Sequence, residues 1–339
     1  EVCDGITEFI DNPEITIEEL NKHIKGPDFP TGAEIQGTGG IRNAYATGRG
    51  KVKVKAVMDV EEIKGKQRLI VNEIPYMVNK AMLIEQVANC VKEKKITGIS
   101  DIRDESDRDG MRIVIELKKD ANPTVIINQL YSYTRMRVTF GMNMVALVNN
   151  VPKTLNLKEM VHYFVEHRRE VIKRRTQFDL TKAEERVHIL EGLIVALDNI
   201  DQIIQKIKKS TDTAAAMSML VADYSLTEPQ SKAILEMRLQ KLSSLEQDSI
   251  RAEHTSLLEV ISNLKSILDS EDKVSDMIKA DLAEIKDSYG DNRRTEISIG
   301  DEQDEEVDIG SLIEEEEVVV TISHRGYIKR APLQQYKQQ

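Results

Sequence analysis

Between residues 156 and 210 the sequence contains no proline and a single glycine, Gly192. Proline and glycine are the strongest helix breakers, so almost nothing local stops a helix here. Long or apolar side chains recur at steps of three and four: Leu157, Val161, Phe164, Arg168, Val171, Arg175 and Phe178, then Leu190, Leu193, Leu197, Ile200, Ile204 and Ile207. Such spacing lines one face of a helix with 3.6 residues per turn. "NLKE" at 156–159 is a variant capping box that marks the start. At 1.5 Å per residue the pattern predicts a helix of roughly 80 Å. No globular core hides a rod of that length, so it must lie against a partner.

The same chain can supply that partner. Residues 244–247 read as a second capping box, followed by seam positions Ile250, Leu257, Ile261, Leu264 and Leu268. A further helical stretch carries Val274, Ile278, Leu282 and Ile285 and stops at Gly290. Between the outgoing and returning helices lie "TAAAMSMLVADY" and "TEPQSKAILEMRLQKL", the latter capped by Thr227. The expected arrangement is an antiparallel coiled-coil arm over 155–290, tipped by a helical knob at about 211–243.

Residues 1–154 read differently. "KVKVKAVMDV" alternates lysine and valine, which on a strand puts Lys51, Lys53 and Lys55 on one face and Val52 and Val54 in the core. Residues 68–74 and 111–118 are rich in β-branched side chains and read as further strands. Two helices are marked by Asn79 as N-cap and by Asn122 with Pro123 at the first helical position. After Gly290 come an acidic linker, 291–317, and a β-hairpin with strands at 318–322 and 327–329 turning near Arg325 and Gly326, the start of a β domain at 318–339. The fold class expected is therefore α+β: a mixed α/β domain, a helical arm and a short β segment.

Charge separates along the chain. The formal net charge is -11, yet residues 300–317 alone hold ten acidic residues and no lysine or arginine, so the remainder is close to neutral and its basic clusters can present positive faces. Cys3 and Cys90 are too few for a disulfide framework or a structural zinc site, and a reducing, cytoplasmic setting is expected. No long apolar run suggests a membrane span, and the first residues, "EVCDGITEFI", carry neither an initiator methionine nor a signal peptide, as expected of a piece of a longer soluble protein.

The basic, glycine-rich stretch at 31–55 contains Arg42, Arg49, Lys51, Lys53 and Lys55. It fails the G-x-x-x-x-G-K-[ST] spacing of a nucleotide loop, since Val52 follows Gly50-Lys51 and Tyr45 stands where the first glycine belongs. Two readings remain: a track that neutralises successive phosphates of a polyanion, or a solvated strand edge kept soluble by lysine. "HRREVIKRRT" at 167–176 poses the same choice between a basic face and helix pairs with Glu166 and Glu170. The six histidines show no ligand spacing. "DIRDESDRDG" lacks the EF-hand pattern and reads as a polar loop. No nucleophile, base and orienting group stand together, so neither catalytic nor metal-binding residues are assigned.

Several motifs are familiar in combination. "GPDFPTG" (26–32), "TGRGKV" (47–52), "EIPYMVNK" (73–80), "DIRDESDRDGMRIVIE" (101–116), "FGMNMVAL" (140–147), "ILEMRLQKL" (234–242) and "YGDNRRTEI" (289–297) run in order along the chain and strongly resemble the A subunits of type IIA DNA topoisomerases, those of DNA gyrase and of topoisomerase IV. The ending, "SHRGYIKRAPLQQYKQQ", looks more like gyrase. The resemblance implies ATP-dependent passage of one duplex through a transient double-strand break held on a tyrosine in an Arg-Tyr-Thr-Glu motif. No tyrosine of this chain stands in that motif; it would lie upstream, so this piece should cleave nothing alone. By the same resemblance, residues 1–154 match the tower domain that supports bent gate DNA, with Arg42, Arg49, Lys51, Lys53 and Lys55 at the duplex. The knob matches the exit gate, where Ile234, Leu235, Met237 and Leu239 would meet a second copy of the chain in a homodimer or, on the plainer reading, close the knob's own core. ATP and Mg²⁺ would belong mainly to the gyrase B subunit of an A2B2 complex, with no cofactor bound here. The alternative in another class is a non-catalytic coiled-coil protein with a DNA-binding head, as in chromosome organisation. The acidic run is expected to be a solvated linker or a competitor of DNA for the basic face.

Overall fold

The structure is a computed structural model, describing residues 1–63, 65–108, 110–238, 244–298 and 317–333. In chain order its elements are α1 (Val2–Asp11), α2 (Ile17–His23), β1 (Glu34–Gln36), α3 (Gly39–Thr47), β2 (Arg49–Lys55), β3 (Val57–Ile63), β4 (Lys66–Glu73), α4 (Lys80–Lys92), β5 (Ile99–Asp104), β6 (Ile113–Leu117), α5 (Pro123–Tyr133), β7 (Arg137–Asn143), β8 (Val145–Val148) and β9 (Val151–Thr154). There follow α6 (Leu157–Asp198), α7 (Ile200–Lys209), α8 (Thr213–Tyr224), α9 (Glu228–Leu235), α10 (Ser244–Leu268), α11 (Glu271–Tyr289), β10 (Glu296–Ser298), β11 (Val318–Ile322) and β12 (Ile328–Pro332). They form two compact units: one of Glu1–Gly5, Glu14–Met160 and the described part of Asp291–Gln339, the other of Ile6–Pro13 and Val161–Gly290. Among the described residues no helix is long and apolar enough to cross a membrane.

The first unit is built on two sheets. One, ordered β3-β4-β6-β5, is antiparallel throughout. It buries Leu69, Val71, Ile113, Ile115 and Leu117 against Leu83, Val87 and Cys90 of α4 and Ile126 and Leu130 of α5. Both helices start where their caps predict: Asn79 Oδ1 accepts from the Met82 N–H, and Asn122 Oδ1 from the Thr124 N–H ahead of Pro123. Ala56 links the sheets; its carbonyl accepts from the Tyr131 hydroxyl at 2.8 Å, and burial pushes that phenol up to about 12.

The other sheet is ordered β10-β1-β2-β7, with β10 parallel to β1 and the rest antiparallel. Helix α3 packs directly on β2. A Cβ on Gly40 would lie 2.0 Å from the Lys51 carbonyl oxygen, so only glycine allows this approach. The helix ends at Gly48, which caps it at φ 77° with its N–H on the Ala44 carbonyl. Val52, Val54, Ile35, Ile41 and Ala44 are buried in this layer.

Residues 291–298, which the sequence pattern groups with the acidic linker, complete this unit instead. Glu34, Ile35 and Gln36 pair with Glu296, Ile297 and Ser298. Thr295, fully buried, accepts from the Phe29 N–H at 2.7 Å and donates to the Gly32 carbonyl at 3.0 Å. Asp28 accepts from the Arg294 and Thr295 N–H groups, while Arg293 grips both oxygens of Glu1 and the carbonyls of Gly26 and Pro27. Two of the motifs that carry the family resemblance, 26–32 and 289–297, thus dock on each other.

The second unit is helical. α6 opens with the reciprocal cap expected at Asn156, whose side chain accepts from the Glu159 N–H while Glu159 accepts from the Asn156 N–H, each at 2.8 Å. It spans 42 residues, about 63 Å, and breaks at Asn199, short of the 80 Å expected. Asn199 donates its side-chain amide to the Val195 carbonyl and leaves helical geometry at φ -120°, ψ 27°, a local bond that competes with the helix ladder. The stripe also shifts. Leu157 and Val161 are buried as expected, but the stripe then passes through Val165, Ile172, Thr176 and Leu180, leaving Phe164 and Phe178 exposed at 41% and 61%. Steps of four run consecutively from Arg168 through Ile172 and Thr176 to Leu180, so the buried face moves by one position relative to an alternating three-four reading.

Leu180, Ala183 and Val187 of α6 pack against Leu257, Ile261, Leu264 and Leu268 of α10, and Leu190 and Leu197 against Ile250. Ion pairs run in opposite directions on the two helices: Glu184 with Lys265, Arg186 with Glu253, Asp198 with Arg251. α6 and α10 are therefore antiparallel. Each pair is half-exposed and worth about 0.2–1 kcal/mol, so these charges set register more than stability. Ala196 near the end of α6 joins Ile203, Leu220, Leu226 and Ile234 in a further small core that α7, α8 and α9 complete. β8 with β9, and β11 with β12, form isolated two-stranded ribbons.

Candidate nucleic-acid interface

Strand pleating does what the lysine–valine alternation predicts. Val52 and Val54 are buried on the α3 side, and Arg49, Lys51, Lys53 and Lys55 project from the other face as one row. Arg42 stands apart from that row, on the exposed side of α3. Successive cations in the row are two residues apart, about 6.7 Å along the strand.

The row is not uniform. Lys55 pairs with Glu34 at 2.8 Å and is half-buried, with Arg137 opposite it on β7. Lys53 is half-buried between Gln36 and Thr139. Arg49 and Lys51 are exposed, face Asn143 and Gly141, and have no ion pair among the described residues. A Cβ placed on Gly141 would meet nothing within 4 Å. An open depression is lined by Gly39, Gly40 and Asn43 of α3, Arg49, Gly50 and Lys51 of β2, and Gly141, Met142 and Asn143 of β7. Sequence reading finds its cations but not its neighbours, because the β2–β7 register that brings 141–143 alongside joins residues far apart in the chain. No carboxylate lines this depression, and the Arg49 and Lys51 side chains are exposed beside it.

The other clusters singled out from the sequence are internally satisfied. In 101–112, Arg103 bonds Asp101, Glu105 and Glu116, and Arg112 bonds Glu105 and Glu61. Lys80, helped by Ser106, holds the Asp104 carboxyl down to about 2. Among the described residues no group of three His, Cys, Asp or Glu could hold a metal ion. The basic cluster of α6 is drawn largely into helix contacts: Arg168 to Asp281, Lys173 to Glu271, Arg169 to Glu166 and Ser275, Arg174 to Glu170.

Of the residues expected at a contact between two copies of the chain, Ile234 is buried in the α7–α9 core and Leu235 packs on the same cluster. Met237 is half-buried beside Leu190, Leu197 and Ile250. Leu239 lies outside the described residues.

Comparison with known proteins agrees with the motif order. The family model for the A subunit of DNA gyrase/topoisomerase IV matches residues 1–283. Proteins named as the A subunit of DNA gyrase are similar over the whole chain: 53% identical over 340 residues in Clostridium acetobutylicum, 51% over 339 in Halalkalibacterium halodurans and 48% over 341 in Staphylococcus epidermidis. The chain spans 41%, 40% and 38% of the length of these relatives, respectively. With the family model matched over most of its length and about half its residues identical to these relatives, the chain belongs to the A-subunit family of DNA gyrase and topoisomerase IV.

Proposed function

We propose that this chain forms part of the A subunit of DNA gyrase, a type IIA DNA topoisomerase, and takes part in ATP-dependent supercoiling by double-strand passage. The observation that carries the reading is the match of about half of all residues, along the entire chain, to proteins bearing that name. The cation row of β2 supports the assignment of gate DNA to this unit: Arg49 and Lys51 are exposed beside an open, carboxylate-free depression. The antiparallel α6–α10 pair fits a coiled-coil arm, and the small core at its end fits the exit gate, with Ile234, Leu235, Met237 and Leu239 at or under a homodimer contact. The partners are double-stranded DNA, a second copy of the same polypeptide, and the gyrase B subunit, in the cytoplasm.

The residues present do not fit ATP or Mg²⁺. The chain lacks a phosphate loop, and among the described residues no cluster offers a metal ligand set. Both groups are assigned to the B subunit. No tyrosine here stands in an Arg-Tyr-Thr-Glu motif, so strand cleavage is assigned to the part of the protein beyond this chain.

Duplex binding measured against salt tests the reading. Each phosphate neutralised contributes about 0.9 to the slope of log K against log salt. Replacing Arg49 and Lys51 by alanine is expected to lower that slope by about 1.8, whereas Lys55→Ala, already paired with Glu34, changes it little. Affinity and slope untouched by replacing all five cations would refute the assignment. Joining the missing N-terminal part and adding ATP with the B subunit is expected to restore supercoiling.

A further inference from the structure

The cation row has one end closed by the Lys55–Glu34 pair and one open end, at Arg49, where it runs into the β8–β9 ribbon. Arg49 pairs with Asn143 at the end of β7, and Met144, which separates β7 from β8, donates its N–H to the Gly48 carbonyl at 2.8 Å. The Met144 carbonyl in turn accepts from the Leu155 N–H at 2.9 Å, so both strands of the ribbon are anchored where the row ends. Among the described strands β8 and β9 pair only with each other. A lone two-stranded ribbon is marginal in water, yet this one exposes Val145, Leu147 and Val151 at 46%, 72% and 54%. Leu147 stands opposite Pro152, which is exposed as well. The tip is narrow: Asn149 and Asn150 turn the chain at φ 52° and 63°, as a two-residue hairpin turn requires.

Charge indicates what covers this ribbon. Residues 121–158 contain no aspartate or glutamate, in a chain of net charge -11, while Arg135, Arg137, Lys153 and Lys158 lie within them. Phosphates repel every carboxylate near them, which accounts for that exclusion and makes the segment complementary to a polyanion. Side-chain chemistry then selects the groove. Leucine and proline wedge between base steps from the minor groove, and asparagine bonds the acceptors on base edges there. The major groove offers leucine and proline little beyond thymine methyl groups.

We propose that the β8–β9 ribbon enters the minor groove of the duplex lying on the β2 row, with Leu147 and Pro152 wedged against a base step and Asn149 and Asn150 at the groove floor. The proposal rests on the DNA reading above. A B-form minor groove is about 6 Å wide, and strands about 4.8 Å apart do not fit into it with their side chains unless it widens. The ribbon therefore holds best where the groove floor is unobstructed.

Inosine supplies the test, because an I·C pair lacks the guanine 2-amino group in the minor groove and matches G·C in the major groove. I·C and G·C duplexes of equal length are titrated with this chain at about 50 mM salt. The natural chain is expected to bind the I·C duplex about tenfold more tightly. Leu147→Ala/Pro152→Ala should bring the two affinities together and leave the slope of log K against log salt unchanged, since no cation is lost. Both side chains are exposed, so the fold is retained. As a second probe, Asn150→Asp keeps a residue that tolerates the left-handed turn and sets a carboxylate at the tip. It should weaken binding to both duplexes, least at high salt. Equal affinity of the natural chain for the two duplexes, an I·C preference that survives Leu147→Ala/Pro152→Ala, or binding indifferent to Asn150→Asp overturns the proposal. A ribbon that serves a protein partner instead gives that result, its substitution leaving both DNA affinities as they were. If Arg49→Ala/Lys51→Ala still lowers the salt slope in that case, the DNA reading stands and only the ribbon's role falls. Absence of binding to either duplex refutes both.

Discussion

Thr295→Val tests whether the segment after the helical excursion holds the first unit together. Thr295 is fully buried, and its hydroxyl is the acceptor for the Phe29 N–H and a donor to the Gly32 carbonyl. Valine keeps the branched shape and removes both bonds. A buried donor left without a partner costs about 1–3 kcal/mol; an unpaired carbonyl, with two lone pairs, is tolerated somewhat better. Together the loss comes to about 2–4 kcal/mol. It falls on the local opening of β10 from β1, so the readout is hydrogen exchange at Gly37, whose N–H donates to the Ser298 carbonyl, and at Glu296, which donates to Ala33. Those amides are expected to exchange about 30- to 700-fold faster, at 1.4 kcal/mol per factor of ten. Amides in the β4–β6 ladder serve as the internal control, and Thr295→Ser should restore most of the protection. Exchange at Gly37 and Glu296 within threefold of the natural chain would refute the reasoning.

Further outcomes follow from the same structure. Gly40→Ala places a methyl 2.0 Å from the Lys51 carbonyl oxygen and is expected to destabilise the first unit by about 2–4 kcal/mol, seen as a lowered melting temperature. Ile172→Ala should cost about 2–5 kcal/mol and Phe178→Ala under about 0.5 in urea unfolding, because the first is buried and the second exposed; the reverse order would overturn the observed stripe. Hydrogen bonds from Arg293 hold the Glu1 carboxyl below its ordinary value despite opposing burial. Its stabilisation is therefore present above the ordinary glutamate range, about 4.3, and lost as the pH falls through the lowered value. Glu1→Gln should lower stability by about 0.5–1 kcal/mol at pH 7, allowing for partial exposure, with the gap to the natural chain closing as the pH falls below the ordinary glutamate range.

What could be read without coordinates was what the chain writes locally. Asn79, Asn122, Asn156 and Thr227 are caps because a side-chain acceptor three residues or fewer from an orphan N–H is a short-range event. The Lys51-Val52-Lys53-Val54 alternation gave the orientation of the cation row for the same reason. The break at Asn199 depends on one side chain choosing the Val195 carbonyl, a competition that periodicity does not rank. The move of the buried stripe to Ile172 and Thr176 depends on which helix lies opposite. β10 was invisible: three residues pairing with a strand more than 250 positions earlier leave no local trace. The open end of the row needed β7 beside it, and only the register supplies Gly141 and Asn143.

The late return of β10 bears on how the protein is made. A ribosome delivers β7 roughly 150 residues before β10, which at 5–20 residues per second is a wait of about 8–30 s. Throughout that interval the nascent sheet presents β1 as a bare edge, and a bare edge invites pairing with a stranger. β1 is only three residues long and carries Glu34, both of which discourage such adhesion.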